Sequence, residues 1–275
     1  MTITIHQRCL FSVDGQDGYV SAYGPLQKII GPLMPWVFFK QLDEEIYGSI
    51  DWKEIDWQLA NVPIGSRAII NLEHPAYEII PDCTQKYQFE VNRRAVEFRK
   101  CFIRQLELRR PDVLWAYYAF PPSKAWAEVG VEAYVEAPNA WTCGVEDLIN
   151  KVHFLNPECY INSTMPLKDV LQWIKQVIDR AKKLIYADCI MPQIWPMFKD
   201  KWEKYPGNDH WPKEKWTPEI QKEILIPGDY WGAMLDQFVE CGITNFMLWN
   251  ESHWCPWDPK APWWVATQKF MTPTD

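Results

Sequence analysis

The 275-residue chain lacks most of the patterns that give a function away. It has no Cys-x-x-Cys pair, no His-Glu-x-x-His, no Gly-x-Ser-x-Gly, no glycine-rich phosphate or dinucleotide loop and no long uncharged apolar run. Each absence closes a class. Eight cysteines, at 9, 83, 101, 143, 159, 189, 241 and 255, are scattered without paired spacing. That argues against a zinc ribbon or a thioredoxin-type redox pair, and the thiols read mostly as reduced core residues. The five histidines, at 6, 74, 153, 210 and 253, share no ligand spacing, so no metal site is expected. Without the glycine loops, hydride and phosphoryl transfer recede, and no cofactor is expected. Without a run of about 18 apolar residues, no membrane span is expected. The first ten residues lack the apolar core and small-residue cleavage site of a secretory signal. Export by that route is therefore not expected, which leaves the cytoplasm or release by another route, as with a virion.

Positive charge is also short: 28 Lys and Arg face 36 Asp and Glu, for a net charge of -8. Such a field repels polyanions and gives no footprint for nucleic acid, so neutral or weakly charged partners are favoured. What the chain has in excess is aromatic surface, with 17 Trp, 12 Tyr and 12 Phe. Tryptophans gather at 195, 202, 211, 216, 231, 249, 254, 257, 263 and 264. Trp offers a flat apolar face with one polar edge, which suits the C–H face of a sugar ring, although it also fills large cores. Many of these Trp stand beside Pro and Lys in segments that read as loops, which favours the sugar platform.

From residue 67 onward, short β-like runs alternate with helical periods, as in β/α units around a parallel sheet. Residues 67–72 form an apolar run that reaches Glu73. A helix follows, with Val91, Ala95, Phe98, Phe102 and Leu106 on one face and Arg93, Arg94, Arg99, Lys100 and Arg104 on the other, and Pro111 stops it. Residues 113–120 read as a buried strand and 159–162 as a shorter one. Pro166 then opens a helix carrying Leu167, Val170, Leu171, Ile174, Val177, Ile178 and Ala181. A strand is expected over 184–190 and a long aromatic loop insertion, covering the substrate, at about 195–227. A helix is expected over 230–239 with Gly242 near its C-cap, and the last strand over 243–249, while 250–264 reads as loop. Less regular signals place strands at 9–13 and 36–39 and a helix at 52–59. The sum is a single domain, 1–275: a distorted TIM-like (β/α) barrel of about seven parallel strands.

In such a barrel the reacting groups stand at the C-terminal ends of strands. Those ends read Asn71-Leu72-Glu73, Tyr117-Tyr118, Tyr160-Ile161-Asn162, Asp188 with Gln193 and Trp195, and Trp249-Asn250-Glu251. Three carboxylates, several tyrosines and tryptophan exceed what barrel stability alone would need. Glu73 is the first candidate for a catalytic acid. A carboxyl at the mouth of an apolar strand among aromatics is desolvated and should hold its proton to higher pH, as a general acid requires. The plainer alternative pairs it with a neighbouring Arg. Glu251 could equally lie in a solvated loop, Asp188 could be a satisfied structural carboxylate, and Asp14 is a weaker candidate on the same strand-end argument.

From about residue 65 to 252 the chain resembles the hyaluronidase family of glycoside hydrolases, of the bee-venom and mammalian type. The likeness rests on the strand closing at Asn71-Leu72-Glu73, the helix ending Arg109-Arg110-Pro111, the strand Leu114-Trp115-Ala116-Tyr117-Tyr118-Ala119-Phe120-Pro121, then Tyr160-Ile161-Asn162 and Phe246-Met247-Leu248-Trp249. The resemblance implies that Glu73 protonates the glycosidic oxygen and that Tyr118, Tyr160 and Trp249 line a sugar subsite. It also implies that the substrate's own acetamido oxygen is the nucleophile. The family's first acidic residue is Asn71 here, which can hydrogen-bond the acetamide but brings no charge, and the acid expected after Phe-Pro is Pro122. The leading expectation is a hydrolase of N-acetylhexosamine-containing polysaccharide, with carbohydrate as partner and Glu251, Asp188 and Trp195 as further substrate contacts. Two rivals stand beside it. One is a retaining glycosidase using Glu73 with Glu251 or Asp188, about 5 Å apart. The other is a non-catalytic carbohydrate-binding or virion structural protein on the same scaffold. Oligomeric state is not legible.

Overall fold

The structure, a computed structural model, describes residues 3–9, 36–38, 52–71, 86–120, 145–202, 217–250 and 258–271. In chain order these form β1 (Thr4–Cys9), β2 (Trp36–Phe38), α1 (Trp52–Ala60), β3 (Arg67–Asn71), α2 (Lys86–Arg109), β4 (Leu114–Tyr117), α3 (Val145–Ile149), α4 (Leu167–Lys182), β5 (Gln193–Ile194), α5 (Lys199–Trp202), α6 (Pro218–Ile224), α7 (Gly228–Glu240), β6 (Asn245–Asn250) and α8 (Pro262–Gln268). They fall into two compact units. Both are α/β with parallel strands. Among the described residues no helix is long and apolar enough to cross a membrane.

The first unit holds β1, β5 and β6 with α4 to α8. Its sheet has the order β1-β6-β5, so the opening strand lies beside the last, paired in parallel from Thr4↔Asn245 to Cys9↔Asn250. Ile3, Ile5, Phe246, Met247 and Leu248 are all buried. Apolar residues on both faces of a strand are what a parallel sheet covered by helices demands. Helix α4 forms for the reason its period gives: Val170, Trp173, Ile174, Val177, Ile178 and Ala181 recur at three- and four-residue steps and are the buried ones. It packs on α7, and α7 on α8. There Gly228 allows the Pro262 carbonyl oxygen to come within 2.6 Å of where a Cβ would stand. Helix α7 ends in a Schellman motif. Gly242, at φ 78°, donates its N–H to Val239 at 2.8 Å, and Ile243 donates to Phe238 at 3.0 Å.

The second unit holds β2, β3 and β4 in that order, all parallel, with α1, α2 and α3. Ala68, Ile69 and Ile70 of β3 and Trp115, Ala116 and Tyr117 of β4 are fully buried. Ala95, Val96, Phe102, Ile103 and Leu106 of α2 supply its apolar stripe. The helix ends in a clamp. Arg110 donates through Nε and Nη2 to both oxygens of Asp112 at 2.8 Å, and through Nη1 to the carbonyls of Leu59 and Val62 at 2.5 and 2.8 Å. Asp112 in turn accepts the Gly65 N–H at 3.1 Å. One Arg–Asp pair thus ties the end of α1 to the turns that start β3 and β4.

Several expectations are corrected. Residues 184–190 are not a strand: α4 runs to Lys182, a 3-10 turn covers Ala187–Cys189, and the strand is Gln193–Ile194. Tyr186, 83% exposed, sits in that turn, where an interior strand would have had to bury it. The opening described strand is Thr4–Cys9, set by Ile3 and Ile5 inside with Thr4 between them exposed, while residues 10–13 of the expected strand lie outside the described residues. The 195–227 segment contains α5 and α6. Thr217 caps α6 by accepting the Ile220 N–H at 3.4 Å, with Pro218 in the first turn. Likewise 250–264 is not all loop, since Pro262 opens α8. Residues 159–162 make bridges rather than a full ladder, Glu158↔Gln193 and Ile161↔Phe198, both parallel.

The clamp carries a pH signature. The Arg110 guanidinium, helped by the Gly65 N–H, holds the Asp112 carboxyl well below the usual carboxylate range. A carboxyl depressed in the folded state contributes stability above its unfolded value near ~4, and that contribution is lost as pH falls toward the folded value. Asp112→Asn should therefore unfold at lower urea than the parent at pH 7, with the gap shrinking as pH drops below about 4 in denaturation midpoints taken across pH.

Candidate functional site

In the second unit the ends of β3 and β4 lie side by side, in register from Arg67↔Leu114 to Ile70↔Tyr117. Tyr117 faces α2: its hydroxyl donates to the Arg99 carbonyl at 2.6 Å, and the Arg99 guanidinium lies 4.8 Å from its ring. Burial pushes the Tyr117 phenol far up. Alternation then sends Asn71 and Tyr118, the next residue on each strand, to the face away from α2. Tyr118 extends the ladder, its N–H donating to Ile70 at 2.9 Å, and Ala119 follows at φ 49°. A left-handed backbone at a residue with a Cβ costs about 1–2 kcal/mol and is held by its surroundings. Here Phe120 exchanges two backbone hydrogen bonds with Asn156 just beyond it. Asn71 is 6% exposed, and its Oδ1 finds no hydrogen-bond partner among the described residues. Glu73, two residues on, lies outside the described residues.

In the first unit, the segment after Glu158 runs beside β5, with the Cys159 N–H on the Gln193 carbonyl at 2.8 Å. Gln193, fully buried, donates its Nε2 to the Tyr160 hydroxyl. The Tyr160 ring lies 5.1 Å from that of Trp195, tilted by 56°. Gln193 Oε1 and Asn162 Oδ1 are buried acceptors without a partner among the described residues. Gln193 and Ile194 pair with Met247 and Leu248, and the residues that follow each strand's last pair are Trp195 and Trp249. Burial raises the Cys159 thiol well above its ordinary value, so it is inert.

The unit sets the Tyr160 ring against Trp195, places Trp249 after the residue paired with Ile194, and brings in Gln193, which the sequence names at a strand end without a role. It separates Asp188 from them. Asp188 is exposed on the 3-10 turn ahead of β5, at the end of that strand opposite Trp195. Glu251 lies outside the described residues, as do Trp211 and Trp216 and the side chain of Trp202. The tryptophan-platform reading is corrected for Trp231, Trp263 and Trp264, which are core. All three are 2% exposed or less, and the Trp231 indole donates to Thr267 at 2.7 Å. Among the described residues no cluster of His, Cys, Asp or Glu is fit to hold a metal.

No family model matches the chain, and no curated protein matches it in sequence. Solved structures do. Bee venom hyaluronidase superposes with TM-score 0.57 at 10% identity, over 98% of this chain and 95% of that one. The same enzyme in complex with a hyaluronic acid tetramer gives 0.56 at 12% identity, over 98% and 94%. The chain has a hyaluronidase-like fold. A Desulfitobacterium hafniense protein described as a chitinase, in its C-terminal domain, gives 0.53 at 11% identity over 98% and 91%.

Trp195 is 3% exposed and backs Tyr160. Trp195→Ala should lower unfolding free energy by about 3–5 kcal/mol, as other buried Trp truncations do. A loss under about 1 kcal/mol in urea titrations would show that the indole is not packed as described.

Proposed function

We propose that this protein is a glycoside hydrolase acting on an N-acetylhexosamine-containing polysaccharide, with Glu73 as general acid. The observation that carries the reading is the fold likeness over 98% of the chain to bee venom hyaluronidase, which has been crystallised with a hyaluronic acid tetramer. The fold carries the finer expectation of a single β/α-barrel domain of about seven strands, which the parallel pairing of first and last strands supports. Fold does not make function, so the chemistry has to rest on residues.

Glycosidic cleavage needs a proton on the leaving oxygen and stabilisation of positive charge at the anomeric carbon. Glu73 supplies the proton. The substrate's acetamido oxygen supplies the second electron pair, and Asn71 orients that group: its buried Oδ1 is an acceptor suited to the acetamide N–H. Tyr118, Tyr160, Trp195 and Trp249 are proposed as sugar contacts. The second reading, a carbohydrate-binding protein without turnover, is favoured by Asn71 itself, which brings no negative charge toward the developing cation.

Incubation with chitin-type, hyaluronan, chondroitin and peptidoglycan fragments should yield new reducing ends. Binding without cleavage across that panel would select the second reading. Glu73→Gln should lower turnover by roughly 10²–10⁴ while leaving the fold and sugar binding intact. Unchanged turnover in this variant would remove Glu73 from the mechanism. Asn71→Asp restores a carboxylate beside the acid and should keep or raise activity. Like-charge repulsion should also move the basic limb of the pH–rate profile upward. A basic limb left where it was would show that residues 71 and 73 do not sense each other.

A further inference from the structure

We infer that Gln193 is a positioning residue for Tyr160, setting the direction of its phenolic hydrogen bond toward bound sugar; this rests on the reading of Tyr160 as a sugar contact. The donor is unambiguous in its chemistry. An amide Nε2 can only donate, so the Tyr160 oxygen accepts from Gln193, and the phenolic proton is directed away from it. Gln193 is fully buried on β5, anchored by the Met247 ladder on one side and by the Cys159 N–H on its carbonyl on the other. Trp195 closes on the ring. Tyr160 is therefore held at both its face and its hydroxyl. A buried amide kept with one acceptor unmatched costs stability, a sacrifice expected where the other end of the side chain serves function.

The inference separates polarity from shape. Gln193→Leu removes the donor, while Gln193→Glu keeps the shape and lets pH choose the polarity. A neutral Glu carboxyl can donate to Tyr160 as the amide does, whereas a carboxylate only accepts and turns the phenolic proton back onto itself. Burial raises the pKa of such a carboxyl, so the switch falls at a workable pH. Among the described residues, the other titratable groups beside Gln193 are Cys159 and Glu158, which lies across the bridge with Lys199 at 3.7 Å. The parent protein's own pH curve accounts for them.

Full-length parent and variants are titrated with chitotetraose and with a hyaluronan tetrasaccharide, at a series of pH values from about 5 to 8, with melting temperatures recorded alongside. Gln193→Leu should bind about tenfold more weakly at all pH, the loss of one oriented hydrogen bond. Gln193→Glu should match the parent at low pH and lose about the same factor as pH rises, reversibly and in the same sample, which a merely misfolded variant would not do. Parent-like binding by both variants at every pH overturns the inference while leaving the glycan reading intact. So does a Gln193→Glu affinity that is weak but flat with pH. If the parent binds neither probe, the glycan reading falls and the positioning role falls with it.

Discussion

The parallel ladder between Thr4–Cys9 and Asn245–Asn250 is the constraint on which the first unit depends, because it joins the opening of the chain to its final strand. Closing so long a loop costs entropy that grows only as the logarithm of its length, so length itself is tolerable. Direction is the stricter demand. A parallel neighbour cannot be reached by a hairpin, and both faces of the strand must then be covered. Helix α7 covers β6 on one side, where the Phe238 and Phe246 rings meet at 5.3 Å. With β6 fixed on one edge by β1, its other edge receives β5, and that pairing carries Gln193 to the level of Met247. The placement of Tyr160 follows, since its segment hangs on the Gln193 backbone.

Elements with strong periods were legible in the sequence. Helix α4 shows its buried stripe at helical spacing, α7 ends at the glycine that can adopt a positive φ, and β3 and β4 have buried apolar centres. Elements whose identity comes from tertiary pairing were not. Strand β5 has two residues, too few for any period, and the apolar run expected before it spends its length in a turn. The short helices α5 and α6 stand in a stretch whose Trp, Pro and Lys content reads as loop, although Thr217-Pro218 is a cap signal visible in hindsight.

The site was legible to the same degree. Tyr118 and Trp249 stand where the apolar runs of β4 and β6 finish, while Tyr160 stands in a segment that only bridges to its neighbours. Asp188 moved with its strand: the strand is Gln193–Ile194, and the carboxylate stands exposed on the turn at its opposite end. The tryptophan excess divided by context. Trp231, Trp263 and Trp264 lie on helices whose faces meet, where a large apolar side chain is worth most, and composition alone does not tell a packed indole from a platform.

Gln193 was named at a strand end but given no role, for a different reason. Sequence reading looks for groups that titrate or attack, and a glutamine does neither. Yet in both units the buried polar groups at the strand ends are neutral amides: Asn71 in one, Gln193 in the other. An amide can be buried at a cost of a few kcal/mol, whereas an unpaired carboxylate would neutralise itself or demand a cation. Neutral amides direct hydrogen bonds by the fixed difference between their N–H and C=O ends, and they bring no net charge to their surroundings.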